Sequence, residues 1–184
     1  QRAIHLIRQS GEHMLTLAAE LIPHYRLFFV CPPTDRGLRL LAKAKALGCS
    51  TLELDLDDPD RGYARLERRL RRLAICVFHC HAGIGWEGQR GVQTARQAGV
   101  PVVIRTEHLP YLLTDEQQVR DYHRHAGLVD HFICVSEEAY HSYVAAGLPP
   151  TKISVVRNGI RPVRARPQRE ALCAEPGLPT DAKI

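Results

Sequence analysis

The sequence predicts an α/β fold: a doubly wound, mostly parallel sheet of about seven strands with helices on both faces. Two patterns carry this. Seven short apolar segments punctuate the 184 residues, and most are continuous, as strands covered on both sides require. Stretches with apolar residues at helical spacing separate them, so strand and helix alternate, which calls for right-handed crossovers.

Taken in order, the strands are expected at 4–7, 27–31, 51–56, 75–79, 100–106, 131–136 and 153–158. The third, 51-TLELDL-56, alternates strictly and so reads as an edge strand with one wet face. The first helix carries Met14, Leu17, Ala18 and Leu21 on one stripe, and a later one carries Tyr63, Leu66, Leu70 and Leu73. Val119, Tyr122, His123 and Ala126 form another stripe, followed by Tyr140, Tyr143, Val144 and Gly147. Two more helices fit about 35–47 and 88–98. Gly48, Gly99, Gly127 and Gly147 each close a helical pattern where a left-handed cap belongs. From Arg161 prolines and arginines accumulate and the alternation stops. Residues 1–160 are therefore expected to form one domain, with 161–184 a linker and the opening of a further one.

Composition narrows the class. Hydrophobic residues make up 45% and charged residues 24%, ordinary for a globular protein. No apolar run approaches the roughly 18 residues that span a bilayer. Six cysteines form no CxxC pair and lie mostly in apolar runs, so they read as reduced, buried residues of a cytoplasmic protein. A formal net charge of +5 favours an anionic partner. The run 65-RLERRLRR-72 puts its leucines on the buried stripe and its arginines opposite. That is a solvated face, with peripheral contact to an anionic membrane as the second reading. Nucleic acid is not expected, because no aromatic interleaving or binding module accompanies the arginines.

In doubly wound sheets ligands bind beyond the carboxyl ends of the strands. Gly11, between the first strand and its helix, lets backbone approach an anion at a helix N-terminus. It stands alone rather than in GxGxxG, so no dinucleotide cofactor is expected. In 79-HCHAGIGWEG-88, His79 and His81 point one way and Cys80 the other. No second pair with zinc-like spacing accompanies them, so no metal is expected. His81 and the glycine turn are read as lining a polar cleft, with Trp86 a stacking platform or a lid residue. Glu107 and His108 follow a strongly apolar strand, where each is a candidate for substrate contact or proton transfer. Ser136 suits a helix N-cap first and substrate contact second.

The order of segments resembles the N-terminal domain of GT-B fold, retaining glycosyltransferases of family four. The matching pieces are 11-GEHMLTLAAEL-21, 77-VFHCHAGIG-85, 99-GVPVVIRTEH-108, 130-DHFICVSE-137 and, most specifically, 147-GLPPTKISVVRNGI-160. The resemblance implies transfer of a sugar from a nucleotide-sugar donor to an acceptor, be it saccharide, lipid-linked or small molecule. It places the Gly11 backbone at the donor diphosphate, His108 beside the transferred sugar, and Asn158 and Gly159 at the crossing to a second domain. That second domain, which binds the nucleotide sugar, is expected to lie beyond residue 184, leaving residues 1–184 inactive by themselves. Ser10 and Arg161 depart from the family pattern, which commonly has Gly and Asp there. A non-enzymatic sugar- or phosphate-binding module and a sugar-nucleotide epimerase of the same architecture are the alternatives.

Overall fold

In the computed structural model, which describes residues 2–7 and 12–159, seven strands form one sheet in the order β3-β2-β1-β4-β5-β6-β7. They are β1 (Arg2–Ile7), β2 (Arg26–Cys31), β3 (Ser50–Glu53), β4 (Val77–Ala82), β5 (Val102–Glu107), β6 (His131–Cys134) and β7 (Ile153–Val155). Every pairing is parallel. The helices between them are α1 (Glu12–Leu21), α2 (Asp35–Ala46), α3 (Pro59–Arg72), α4 (Gln89–Gln97), α5 (Glu116–Ala126) and α6 (Glu137–Ala145). Strand order reverses between β1 and β4, and β3 lies at an edge. Gly11 and the segment from residue 160 onward fall outside the described residues.

Alternation along the strands divides the core in two. Leu27, Phe29 and Cys31 pack with Met14 and Ala18 of α1 and with Leu40, Leu41 and Ala44 of α2. The opposite face carries Val30, Phe78, Cys80, Val103, Phe132 and Cys134. There they meet Leu66 and Leu70 of α3, Val92 and Ala95 of α4, Tyr122 of α5 and Tyr143 of α6. Side-chain caps start the helices: Thr34, Asp58, Asp115 and Ser136 each accept a hydrogen bond from a first-turn amide.

Three sequence expectations change. The fourth strand runs 77–82 rather than 75–79, so His79 and His81 lie inside it. Its polar residues are buried at the sheet's centre, which hydropathy reads as a strand end. Gly127 stays in right-handed helical backbone at φ −61°, while Gly48, Gly99 and Gly147 adopt positive φ as expected. Leu17 is exposed, because it faces the open cleft rather than the packed core.

Candidate functional site

The carboxyl ends of β4, β5 and β6 carry the site. On the α1 side of the sheet, alternate residues of these strands present His79 and His81, Thr106 and His108, Ile133 and Val135 to one cleft. Helix α1 supplies the opposite wall with His13, Leu17 and Glu20, and the segment after β7 closes an end with Arg157, Asn158 and Gly159. The volume is about 390 Å³, within the range of sites for small ligands.

The polar groups are fixed by the sheet register. His79 lies opposite Ile104 and His81 opposite Thr106, so both rings stand over the β5 pairing. His79 Nε2 is 2.7 Å from Thr106 Oγ1. The His79 and His81 rings lie 4.0 Å apart, centroid to centroid. The His108 amide donates to the Ala82 carbonyl at 2.9 Å, extending the ladder by one bond and holding the His108 ring beside His81. His81 Nδ1 and His108 Nε2 are 3.4 Å apart, and His13 meets His108 edge-on with centroids at 4.8 Å. Burial, and secondarily the proximity of His13, push His108 down to about 4, and burial lowers His13 as well. At neutral pH burial therefore favours the uncharged imidazoles of His13 and His108, suited to accept a proton or donate a neutral hydrogen bond.

The structure brings four of the sequence-selected residues, His81, His108, Asn158 and Gly159, to this cleft. Glu107 and Ser136 it does not. Adjacent residues of a strand face opposite ways, so with His108 in the cleft Glu107 points into the other core layer. There it is fully buried, accepting from Arg105 Nε at 2.5 Å and from the Tyr122 hydroxyl at 3.0 Å. Ser136 caps α6, its hydroxyl accepting from the Ala139 amide at 3.1 Å. The glycine turn does not line the cleft either. Its Gly83 amide is taken by the Glu87 carboxylate at 2.7 Å, and Arg105 donates to the carbonyls of Gly85 and Glu87 at 2.8 and 2.7 Å. Trp86 is exposed on that turn, away from the cleft. His13, Thr106 and Arg157 were not singled out by sequence reasoning. The signal for His13 was present: a histidine in the first turn of the helix that follows β1.

A family model described as Glycosyltransferase Family 4 matches residues 10–164. The chain belongs to glycosyltransferase family 4. Comparison with curated proteins yields no match. Among solved structures, this family 4 domain is similar to HepE of Anabaena, determined with UDP and glucose. The TM-score is 0.70 at 13% identity, over 96% of this chain and 50% of that one. A glycosyltransferase from Rickettsia africae gives 0.70 at 11% identity, over 98% and 50%. A UDP-N-acetylglucosamine 2-epimerase from Rickettsia bellii gives 0.58 at 12%, over 85% and 44%. The chain thus has the fold of a GT-B N-terminal domain and spans about half the length of these structures.

Proposed function

We propose that this chain is the N-terminal, acceptor-side domain of a retaining hexosyltransferase that uses a nucleotide-sugar donor. On this reading residues 1–160 form the domain, and 161–184 are a linker and the start of the domain that binds the nucleotide. The observation that supports it best is the gathering of His81, His108, Asn158 and Gly159 on one rim of the sheet, in a chain matched to family 4 from residue 10 to residue 164. His108 acts at the transferred sugar. An uncharged imidazole there donates or accepts a hydrogen bond as charge builds on the sugar, without adding a cation of its own. The family resemblance assigns contact with the donor diphosphate to the backbone at Gly11. Residues 1–184 alone, without the nucleotide half, turn nothing over.

Solved relatives of the fold bind UDP or UDP-glucose, which favours a uridine diphosphate sugar as the first donor to test. Among the described residues no helix is long and apolar enough to cross a membrane. The exposed Arg61, Arg65, Arg68 and Arg72 of α3 form a basic stripe suited to a peripheral contact with anionic lipid.

The test is turnover of a panel of nucleotide sugars by the longest natural chain that carries residues 1–184, with anomeric configuration read by NMR. Retained configuration in a transferred product supports the reading. Epimerised nucleotide sugar with no transfer would replace it with the epimerase reading, and binding without consumption with the binding module. His108→Ala should lower kcat by about 100-fold or more, the scale of a lost proton-transfer or charge-stabilising group. Unchanged kcat would remove His108 from the sugar.

A further inference from the structure

The amino ends of the strands, at the opposite edge of the sheet from the histidine cleft, hold a second cavity of about 430 Å³. Three arginines line it: Arg2 at the start of β1, Arg26 at the start of β2 and Arg69 in the last turn of α3. Strand register places two of them. Arg2 is the direct partner of Arg26 in the parallel β1–β2 pairing. Their neighbours Ala3 and Leu27 belong to the core layer under α1 and α2. By alternation both arginines therefore leave the sheet on the α3 face, where Arg69 stands.

This charge has no counterpart. No aspartate or glutamate lines the cavity, and among the described residues none of the three arginines enters a salt bridge. Arg2 gives one donor to the chain, its Nη1–H group reaching the Leu73 carbonyl at 2.5 Å, which anchors it against the end of α3. Like charges directly opposite on neighbouring strands destabilise a sheet. A recess lined by one sign of charge also concentrates its field within its own volume. What the arrangement lacks is an anion.

The lining selects the anion. Guanidinium forks match the oxygens of a phosphate two at a time, and Ser50 at the start of β3 adds a hydroxyl. The volume is on the scale of sites for small organic ligands rather than of a bare ion. Tyr25, Phe28, Ile22 and Leu73 supply the remaining wall, an apolar surface for the body of an ester.

We propose that Arg2, Arg26 and Arg69 bind the phosphate group of an organic phosphate monoester at the amino edge of the sheet. The inference goes beyond the sugar-transfer reading and does not rest on it, since it is judged by ligand binding alone.

The experiment uses the longest natural chain that carries residues 1–184, in phosphate-free buffer, with two probes of the same chemistry. Glycerol 3-phosphate is titrated by calorimetry, and phosphatidylcholine vesicles carrying phosphatidic acid are tested by flotation. The expected result is saturable binding of at least one probe that weakens as salt is raised. Binding of glycerol 3-phosphate makes the ligand a soluble ester, and binding confined to the vesicles makes it a lipid headgroup. In either case Arg26→Gln and Arg69→Gln should each weaken binding by at least about tenfold. Arg36→Gln and Arg39→Gln, at exposed positions outside the cavity, should leave it unchanged. Arg2→Lys, which keeps the charge and loses the fork, is the third variant, with circular dichroism checking the fold of each. Binding of neither probe overturns the proposal, as does binding that survives Arg26→Gln combined with Arg69→Gln. An equal loss in the Arg36 and Arg39 variants also overturns it, because net charge alone would then explain the binding.

Discussion

Replacing Glu107 with alanine tests the account of the buried layer beneath the cleft. The Glu107 side chain has no exposure and that of Arg105 only 3%. The guanidinium spends its donors on Glu107 and on the carbonyls of Gly85 and Glu87, and Tyr122 adds a hydroxyl to the same carboxylate. Burial alone would lower the Arg105 pKa, but the charge of Glu107 outweighs it and holds the guanidinium charged. Glu107→Ala leaves that charge buried with two carbonyls for company and strands the Tyr122 hydroxyl. Removing one member of a buried pair costs about 3–5 kcal/mol, and the hydroxyl's loss overlaps with it, so about 4 kcal/mol is expected. At roughly 2–4 °C per kcal/mol for a domain of this size, Tm falls by about 8–16 °C. Urea unfolding followed by circular dichroism reads the change directly. Arg105→Met combined with Glu107→Ala removes both charges and should recover part of the loss, with a coupling energy of about 2–3 kcal/mol in the double-mutant cycle built from the two single variants. A cost below about 1 kcal/mol for Glu107→Ala, or a coupling near zero, would refute the argument.

The remaining predictions concern other elements. Gly88 sits at φ +73° and an added Cβ would collide with Cys80 Sγ, so Gly88→Ala should cost more than about 2 kcal/mol in urea unfolding. An unchanged midpoint would count against the packing of the turn. Burial pushes the Asp130 carboxyl up, but the Val103 amide at 2.7 Å and Arg96 at 2.7 Å outweigh this and hold it below its usual value. Its contribution to stability is therefore present above the ordinary carboxylate range and lost as pH falls through the lowered value. Asp130→Asn should flatten the fall in urea midpoint between about pH 5 and pH 3, and parallel profiles would refute this. If α3 touches anionic lipid, Arg65→Glu with Arg68→Glu and Arg72→Glu should weaken binding to phosphatidylserine vesicles by about 100-fold or more. Equal binding of the unsubstituted protein to neutral vesicles would exclude an electrostatic contact.

The seven-strand plan was legible because most of the strands carry short, nearly unbroken apolar runs. What hydropathy misplaced was the end of β4. A stretch holding His79, Cys80 and His81 looks like the start of a loop, yet the cleft and the Thr106 hydroxyl give those polar rings a place within the sheet. The alternation rule that separated Cys80 from its two neighbours also applies to 105–108. Applied there, it puts Glu107 on the face of Arg105 and leaves the cleft to Thr106 and His108. The histidine trio was hidden for a different reason. Its members stand 68 and 27 residues apart, and only the parallel register of β4 with β5, together with the entry of α1, brings them side by side. Spacing rules written for local motifs do not reach across such crossovers.

Because β1 precedes the other described strands in the chain yet takes an interior place, the sheet cannot grow in chain order. Ala3 must find Leu27 on one flank and wait for Val77 on the other, more than seventy residues later. A nascent chain therefore carries a half-satisfied strand until β4 emerges, and the late, long-range closure makes folding slow. Proteolytic loss of residues 2–7 would not trim a margin. It would remove the strand that joins the β3–β2 pair to the β4–β7 set.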